Sequence, residues 1–178
     1  MLVRKRGIWR EALLTGYTVL LGSLLHFVYG WSGSNVFAAG FSAVNESTWE
    51  HMKLLFFPVF LLTLLQTCTR RAADTCIPAV RAISVFIGLS LIPMLYYTYT
   101  GIVGTHALWA DIAVFILAAA GTFAADSLLT RSGRLRRPWQ QIAGMLALWA
   151  LAFCFVWCTF RPPQLALWLD PVTGRYGL

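Results

Sequence analysis

Five apolar runs of about 20 residues each constrain this chain more than any other feature. They cover residues 12–29, 47–67, 79–99, 107–129 and 139–160, and short polar segments join them. An α-helix rises about 1.5 Å per residue, so a run of this length can cross the hydrocarbon core of a bilayer. The pattern predicts an all-α bundle of about five transmembrane helices, followed by a tail at residues 161–178.

The composition supports the same fold class. Only 12% of the 178 residues are charged and 58% are hydrophobic, which is too few charges to cover a water-soluble domain. We therefore expect the lipid bilayer to surround one membrane domain over residues 1–178. The net charge of +7 falls mainly in the short connections, so topology explains it better than nucleic-acid binding does.

The basic residues predict an orientation, because short cytoplasmic loops are enriched in Lys and Arg. One side of a five-span arrangement holds 11 of the 14 basic residues. We expect a cytoplasmic N-terminus, an outer C-terminal tail and a place in the cytoplasmic membrane of the cell. The residues on the predicted inner side are Arg4, Lys5, Arg6, Arg10, Arg70, Arg71, Arg81, Arg131, Arg134, Arg136 and Arg137.

The first apolar run follows a basic N-terminus, an order that is also typical of a signal peptide. His26 and Tyr29 interrupt the apolar run just before a stretch of small residues. An uninterrupted apolar segment is the mark of a signal peptide, so we expect this run to be an uncleaved first span.

Polar residues cluster at the predicted outer ends of the spans. An ionisable group inside a membrane costs several kcal/mol unless it is paired or wetted. We therefore predict one shared polar pocket that opens to the outer side. Its candidate residues are His26, Asn45, Glu46, Glu50, His51, Lys53, His106 and Asp111.

Two histidines and a carboxylate suit Zn²⁺ with one coordination position left open. This chemistry makes His26, His51 and Asp111 the predicted metal ligands. On a continuous helix Glu46, Glu50 and Lys53 would share one face. A carboxylate from that face would act as general base and Lys53 would stabilise an oxyanion. The pattern suggests a metal-dependent hydrolase or transferase for an amphiphilic substrate, although no His-Glu-x-x-His motif is present.

Simpler interpretations compete with the enzyme hypothesis. Ser47-x-x-Glu50 has the spacing of a capping box, and Asn45 is an alternative cap. Glu50 and Lys53 are also spaced for a helical ion pair. Two other functions stay open: a binding or transport component for a small solute, a proton or a cofactor, and an accessory subunit of a membrane complex. The pattern leaves a protein partner or homo-oligomer undetermined.

The tail contains two turn signals, Asp170-Pro171 and Thr173-Gly174. Aromatic residues such as Tyr176 are typical of a segment that lies at the membrane surface. An interfacial tail is the simpler prediction. A tail that folds over the polar pocket as a lid is the alternative, and it would bring Asp170 and Tyr176 to the site.

Three sequence blocks resemble a known family. They are residues 25–29 (LHFVY), residues 44–53 (VNESTWEHMK) and residues 170–177 (DPVTGRYG), with Phe57-Pro58 following the second block. Together they are similar to a family of small bacterial integral membrane proteins of unknown function. The resemblance covers nearly the whole chain. It implies a compact, multi-span membrane protein and supplies no activity.

Overall fold

The computed structural model describes residues 2–69 and 76–178, with side chains described from residue 8 onward in the first helix. Several basic residues used to predict the orientation therefore lie outside the described part. Arg70 and Arg71 fall in the undescribed connection, and the side chains of Arg4, Lys5 and Arg6 are also outside it.

The described residues form five long helices, one short helix and a single 3-10 turn. The all-helical prediction is confirmed, and all five long helices are apolar enough to cross a membrane. The protein is thus a multi-pass membrane protein. The elements are α1 (Leu2–Trp31), α2 (Val36–Ala39), α3 (Thr48–Thr69), α4 (Ile77–Val103), α5 (Leu108–Ser132), α6 (Pro138–Phe160) and the 3-10 turn Ala166–Trp168.

The helix α4 lies in the middle of the bundle and packs against α3, α5 and α6. The helix α1 packs against α3 and α5 and is the least buried of the five spans. Fully buried aromatic and aliphatic side chains of α3, α5 and α6, such as Phe56, Phe123 and Leu148, form the core. The small buried share of α1 means that most of its side chains face outward from the bundle.

Short connections and glycines let the helices approach closely. Gly144 of α6 packs directly on α4, where an added Cβ would lie 2.6 Å from Ala79 Cα and 2.7 Å from Ala79 N. Small residues are common at helix contacts in membrane bundles, because close packing drives helix association in lipid, where the hydrophobic effect does not. The contact of α4 with α6 therefore depends on the absence of a side chain at Gly144.

The variant Gly144→Ala is expected to lower the free energy of unfolding by about 1–3 kcal/mol, since the new methyl group meets backbone that cannot move aside. Thermal unfolding in detergent measures the effect. Gly101→Ala is the matched control: an added methyl group there would have nothing within 4 Å, and alanine favours the helix. Equal stabilities of the two variants would contradict the packing interpretation.

The polar segment that joins the first two spans contains the short helix α2. Asn35 caps it, since its Oδ1 accepts a hydrogen bond from Phe37 N at 2.8 Å. This folded connection brings Ala39 and Val44 against the start of α3. It therefore forms part of the bundle at the end that holds the three histidines, which we call the histidine end.

The sequence predicts Arg81 as one of the basic residues of the inner side, and its side chain is fully buried. Its Nε lies 3.2 Å from Asp126 Oδ1, and an Nη donates to Gln66 Oε1 at 3.1 Å. Its guanidinium also lies over the Phe123 ring. A buried guanidinium needs such partners, and here α3 and α5 supply them.

Candidate functional site

A cavity of about 540 Å³ lies at the histidine end. Residues of α1, α3, α4 and α5 form its walls, and residues 171 and 172 of the tail reach it. Its volume is in the range of small-molecule sites. The polar residues that line it include His26, Glu46, His51, His106 and Asp111.

Three of these side chains converge on one point. Glu46 Oε2 lies 3.6 Å from His26 Nε2 and 3.5 Å from His51 Nε2. The three atoms all lie within 4.8 Å of one another. The structure thus brings together the two histidines that were predicted as metal ligands. The carboxylate beside them belongs to Glu46, whereas the sequence had suggested Asp111 as the third ligand.

The start of α3 explains why Glu46 reaches the histidines. The helix begins at Thr48, where Ser47 Oγ accepts from Glu50 N and Asn45 Oδ1 accepts from Ser47 N. Glu46 precedes the helix, so it does not share the helical face of Glu50. The capping prediction for Asn45 and Ser47 accounts for the contacts that fix this start.

A backbone carbonyl fixes the orientation of the His51 ring. His51 Nδ1 lies 3.0 Å from Ser47 O, which can only accept a hydrogen bond, so Nδ1 carries the proton. In the neutral ring Nε2 then presents a lone pair toward the Glu46 carboxylate. Two acceptors at 3.5 Å repel each other unless a proton or a cation lies between them. Histidine ligands of metals commonly make this second hydrogen bond.

Glu46 itself favours the charged state. Its contact with the His26 ring lowers the pKa of the carboxyl group below its ordinary value, although partial burial acts in the opposite direction. Charge on His51 and His26 lowers the pKa further. A carboxylate at this position is available as an anionic ligand.

The triad fits the donor set of a divalent metal. Ligand atoms about 2.0–2.1 Å from a tetrahedral zinc ion are roughly 3.3 Å apart. The separations from Glu46 to His26 and His51 are 3.6 and 3.5 Å, close to that value. Two imidazoles and one carboxylate are the ligand set of open zinc sites, which leave one position for a water or a substrate.

Asp111 lies on the same cavity in a second group. Tyr99 donates its hydroxyl hydrogen to Asp111 Oδ1, and His106 Nδ1 lies 3.5 Å from Oδ2. His106 is more than half exposed, whereas Asp111 is largely covered. Asp111 and His106 thus form an acid and base pair that lines the cavity, and the carboxylate is hydrogen-bonded by Tyr99. Sequence analysis missed Tyr99, because an aromatic residue at the end of a span is also typical of an interfacial belt.

Glu50 and Lys53 form a buried ion pair away from the cavity wall. Lys53 Nζ lies 2.6 Å from Glu50 Oε2, and both side chains are at most 2% exposed. Lys53 also donates to Ala39 O at 2.9 Å and to Thr159 Oγ1 at 2.8 Å. The three ammonium hydrogens thus have three acceptors, which leaves none for a substrate.

The tail folds back over the histidine end. Asp170 forms a turn in which its Oδ1 accepts from Val172 N at 2.9 Å and its Oδ2 from Thr173 Oγ1 at 2.6 Å. Leu169 and Tyr176 form an isolated antiparallel bridge across this turn. Asn45 Nδ2 donates to Gly177 O at 2.9 Å. Asp170 and Tyr176 therefore shape the segment that covers the cavity, and their hydrogen bonds and bridge are made within the tail.

Comparison with known proteins gives one match. Neither a curated protein nor a solved structure matches the chain. The match is to a protein family described as "Family of unknown function (DUF6512)", and it covers residues 9–178. The resemblance seen in the three sequence blocks is thereby confirmed, and the chain belongs to this family of unknown function.

Proposed function

We propose that the protein is a metal-dependent membrane hydrolase or transferase that acts on an amphiphilic substrate. The observation that supports the proposal is the meeting of His26 Nε2, His51 Nε2 and Glu46 Oε2 at the wall of a ligand-sized cavity. The hydrogen bond from His51 Nδ1 to Ser47 O leaves Nε2 facing the Glu46 carboxylate, and a divalent cation between the two would stabilise this arrangement.

A divalent metal such as zinc at this triad would supply a Lewis acid that polarises a carbonyl or phosphoryl oxygen. The chain supplies the other requirements of such a reaction. Asp111 and His106 accept and return a proton at the cavity mouth, and Tyr99 orients the Asp111 carboxylate. The tail covers the cavity and restricts the access of water.

We place the cavity on the outer side of the cytoplasmic membrane. The predicted inner end holds most of the basic residues, and the positive-inside rule assigns that end to the cytoplasm. Arg81 adds little to this count, because it is buried and paired with Asp126 and so its position reflects that partner.

The interior below the cavity favours an enzyme over a transporter. A transport path would need polar groups or water between the cavity and Asp126. Phe56, Leu89 and Phe123 are almost fully buried in the core of the bundle, and Asp126 is paired with Arg81. These apolar side chains separate the cavity from the polar inner end, where Asp126 and Arg81 are buried together with Ser84 and Thr122.

Elemental analysis of detergent-purified protein tests the proposal. We expect about one zinc, iron or manganese ion per chain in the wild type, as three protein ligands typically hold one such ion. His26→Ala and His51→Ala are each expected to weaken metal affinity by about 100-fold or more, since loss of a mere supporting partner already costs about 10–100-fold.

His106→Ala is the matched control, because it removes a cavity histidine that lies outside the triad. It is expected to keep its metal and to lose activity once a substrate is known. A folded wild type that binds no added zinc, or triad variants that retain full metal content, would overturn the proposal.

A further inference from the structure

The cavity is polar at one end and apolar at the other. His26, Glu46 and His51 mark the polar end. Val19, two turns deeper along α1, also lines the cavity, which places apolar wall about 10 Å farther into the bilayer. A fully water-soluble substrate would leave this apolar half without a partner.

The wall between α1 and α5 has two exposed faces. Four of its side chains line the cavity and still expose 42–75% of their surface, more than a wall closed to the outside of the bundle would leave. In a multi-pass membrane protein the outside at this depth is lipid hydrocarbon. We call these residues the α1–α5 rim: Phe27, Leu108, Ile112 and Ile116.

The approach of α1 to its neighbours narrows the cavity partway along its depth. An added Cβ on Gly22 would lie 2.7 Å from Leu54 O and 2.8 Å from the Phe115 ring. The helices are thus in direct contact at Gly22, and Phe27, Leu108 and Ile112 of the rim lie between this contact and the histidine end. A chain entering from the bilayer would cross the rim with its polar head toward the triad.

We infer that the cavity binds one hydrocarbon chain of a membrane amphiphile, which enters sideways from the bilayer through the α1–α5 rim and holds its polar head at His26, Glu46 and His51. This inference rests on the proposed function for the head group only. The chain subsite itself follows from the apolar wall and the exposed rim.

Photocrosslinking tests the inference. The probe is lysophosphatidylglycerol with a diazirine at the end of its single acyl chain, added in trace amount to protein in lipid nanodiscs. Peptide mapping is expected to find the label on cavity residues of α1 and α5. Labelling spread evenly over lipid-facing positions such as Leu13 and Leu128 would overturn the inference.

Val19→Trp fills the deep end of the cavity and is expected to reduce cavity labelling about tenfold. Ile112→Trp narrows the rim at a half-exposed position outside the core, and we expect it to reduce cavity labelling as well. Leu20→Trp is the matched control, since Leu20 neighbours Val19 but faces lipid. Unchanged labelling in folded Val19→Trp and Ile112→Trp proteins would overturn the inference.

Metal content measured on the same samples separates the two proposals. Cavity labelling without bound metal would support the chain subsite and overturn the metal enzyme. Bound metal with no cavity labelling would overturn the chain subsite and leave the metal centre in place.

Discussion

Lys53→Met is expected to lower the free energy of unfolding by about 3–5 kcal/mol, because it leaves the buried Glu50 carboxylate without its counter-charge. Glu50 is 2% exposed, and Lys53 is its charged partner at 2.6 Å. The remaining hydrogen bonds, from Val44 N at 3.0 Å and Thr159 Oγ1 at 3.3 Å, come from uncharged groups. They compensate a buried anion only in part.

The loss has a structural consequence as well as an energetic one. Lys53 joins α3 to α6 through Thr159 and to the folded connection through Ala39. Glu50 holds the same connection through Val44. We expect proteolysis between α1 and α3 to become faster in Lys53→Met, because both of these attachments depend on the ion pair.

Denaturant unfolding in detergent micelles measures the change. Arg134→Met removes an exposed cation and is expected to stay within about 0.5 kcal/mol of the wild type. The double variant Glu50→Gln/Lys53→Met removes both charges and is expected to recover most of the loss. A single variant as stable as Arg134→Met would contradict the assignment of a buried structural pair.

Asp126→Asn is expected to lower the free energy of unfolding by about 3–5 kcal/mol, since Arg81 keeps a buried positive charge after its partner is neutralised. Arg81 is fully buried, and its Nε lies 3.2 Å from Asp126 Oδ1. Gln66 and the Phe123 ring still contact the guanidinium. Neither carries a negative charge that replaces the carboxylate.

Arg10→Met is the matched control for this pair, because Arg10 also approaches Asp126, at 3.4 Å, but is 42% exposed. An exposed partner contributes about 0–1 kcal/mol, so the control is expected to be far milder than Asp126→Asn. The same unfolding assay compares the two. Equal losses would show that the buried pair of Asp126 with Arg81 is not the main contribution.

Hydropathy alone predicts most of the fold, because each span must satisfy its own backbone hydrogen bonds in lipid. The candidate site is harder to predict, since it depends on where α3 begins. Helical periodicity places Glu46 with Glu50, whereas the cap formed by Asn45 and Ser47 starts the helix after Glu46. Because α3 begins two residues after Glu46, Glu46 lies beside the histidines while Glu50 is buried in the core.

Long-range partners explain the remaining differences. Arg81 stands near the start of an apolar run and is predicted as a topological charge. Its partners, Gln66 and Asp126, come from two other helices, and no local pattern indicates that they meet. Likewise, the pairing of Asp111 with Tyr99 requires the turn between α4 and α5 to be known.

The folded tail has a consequence for the order in which the site is made. The cavity walls come from α1, α3, α4 and α5, but Pro171 and Val172 complete the lining, and the Asn45 amide donates a hydrogen bond to Gly177 O. Ribosomes synthesise residue 170 after all five spans, and chains fold progressively from the N-terminal side. A nascent protein whose five spans are already inserted therefore has an uncovered site, and the cavity gains its cover only after the tail has been synthesised.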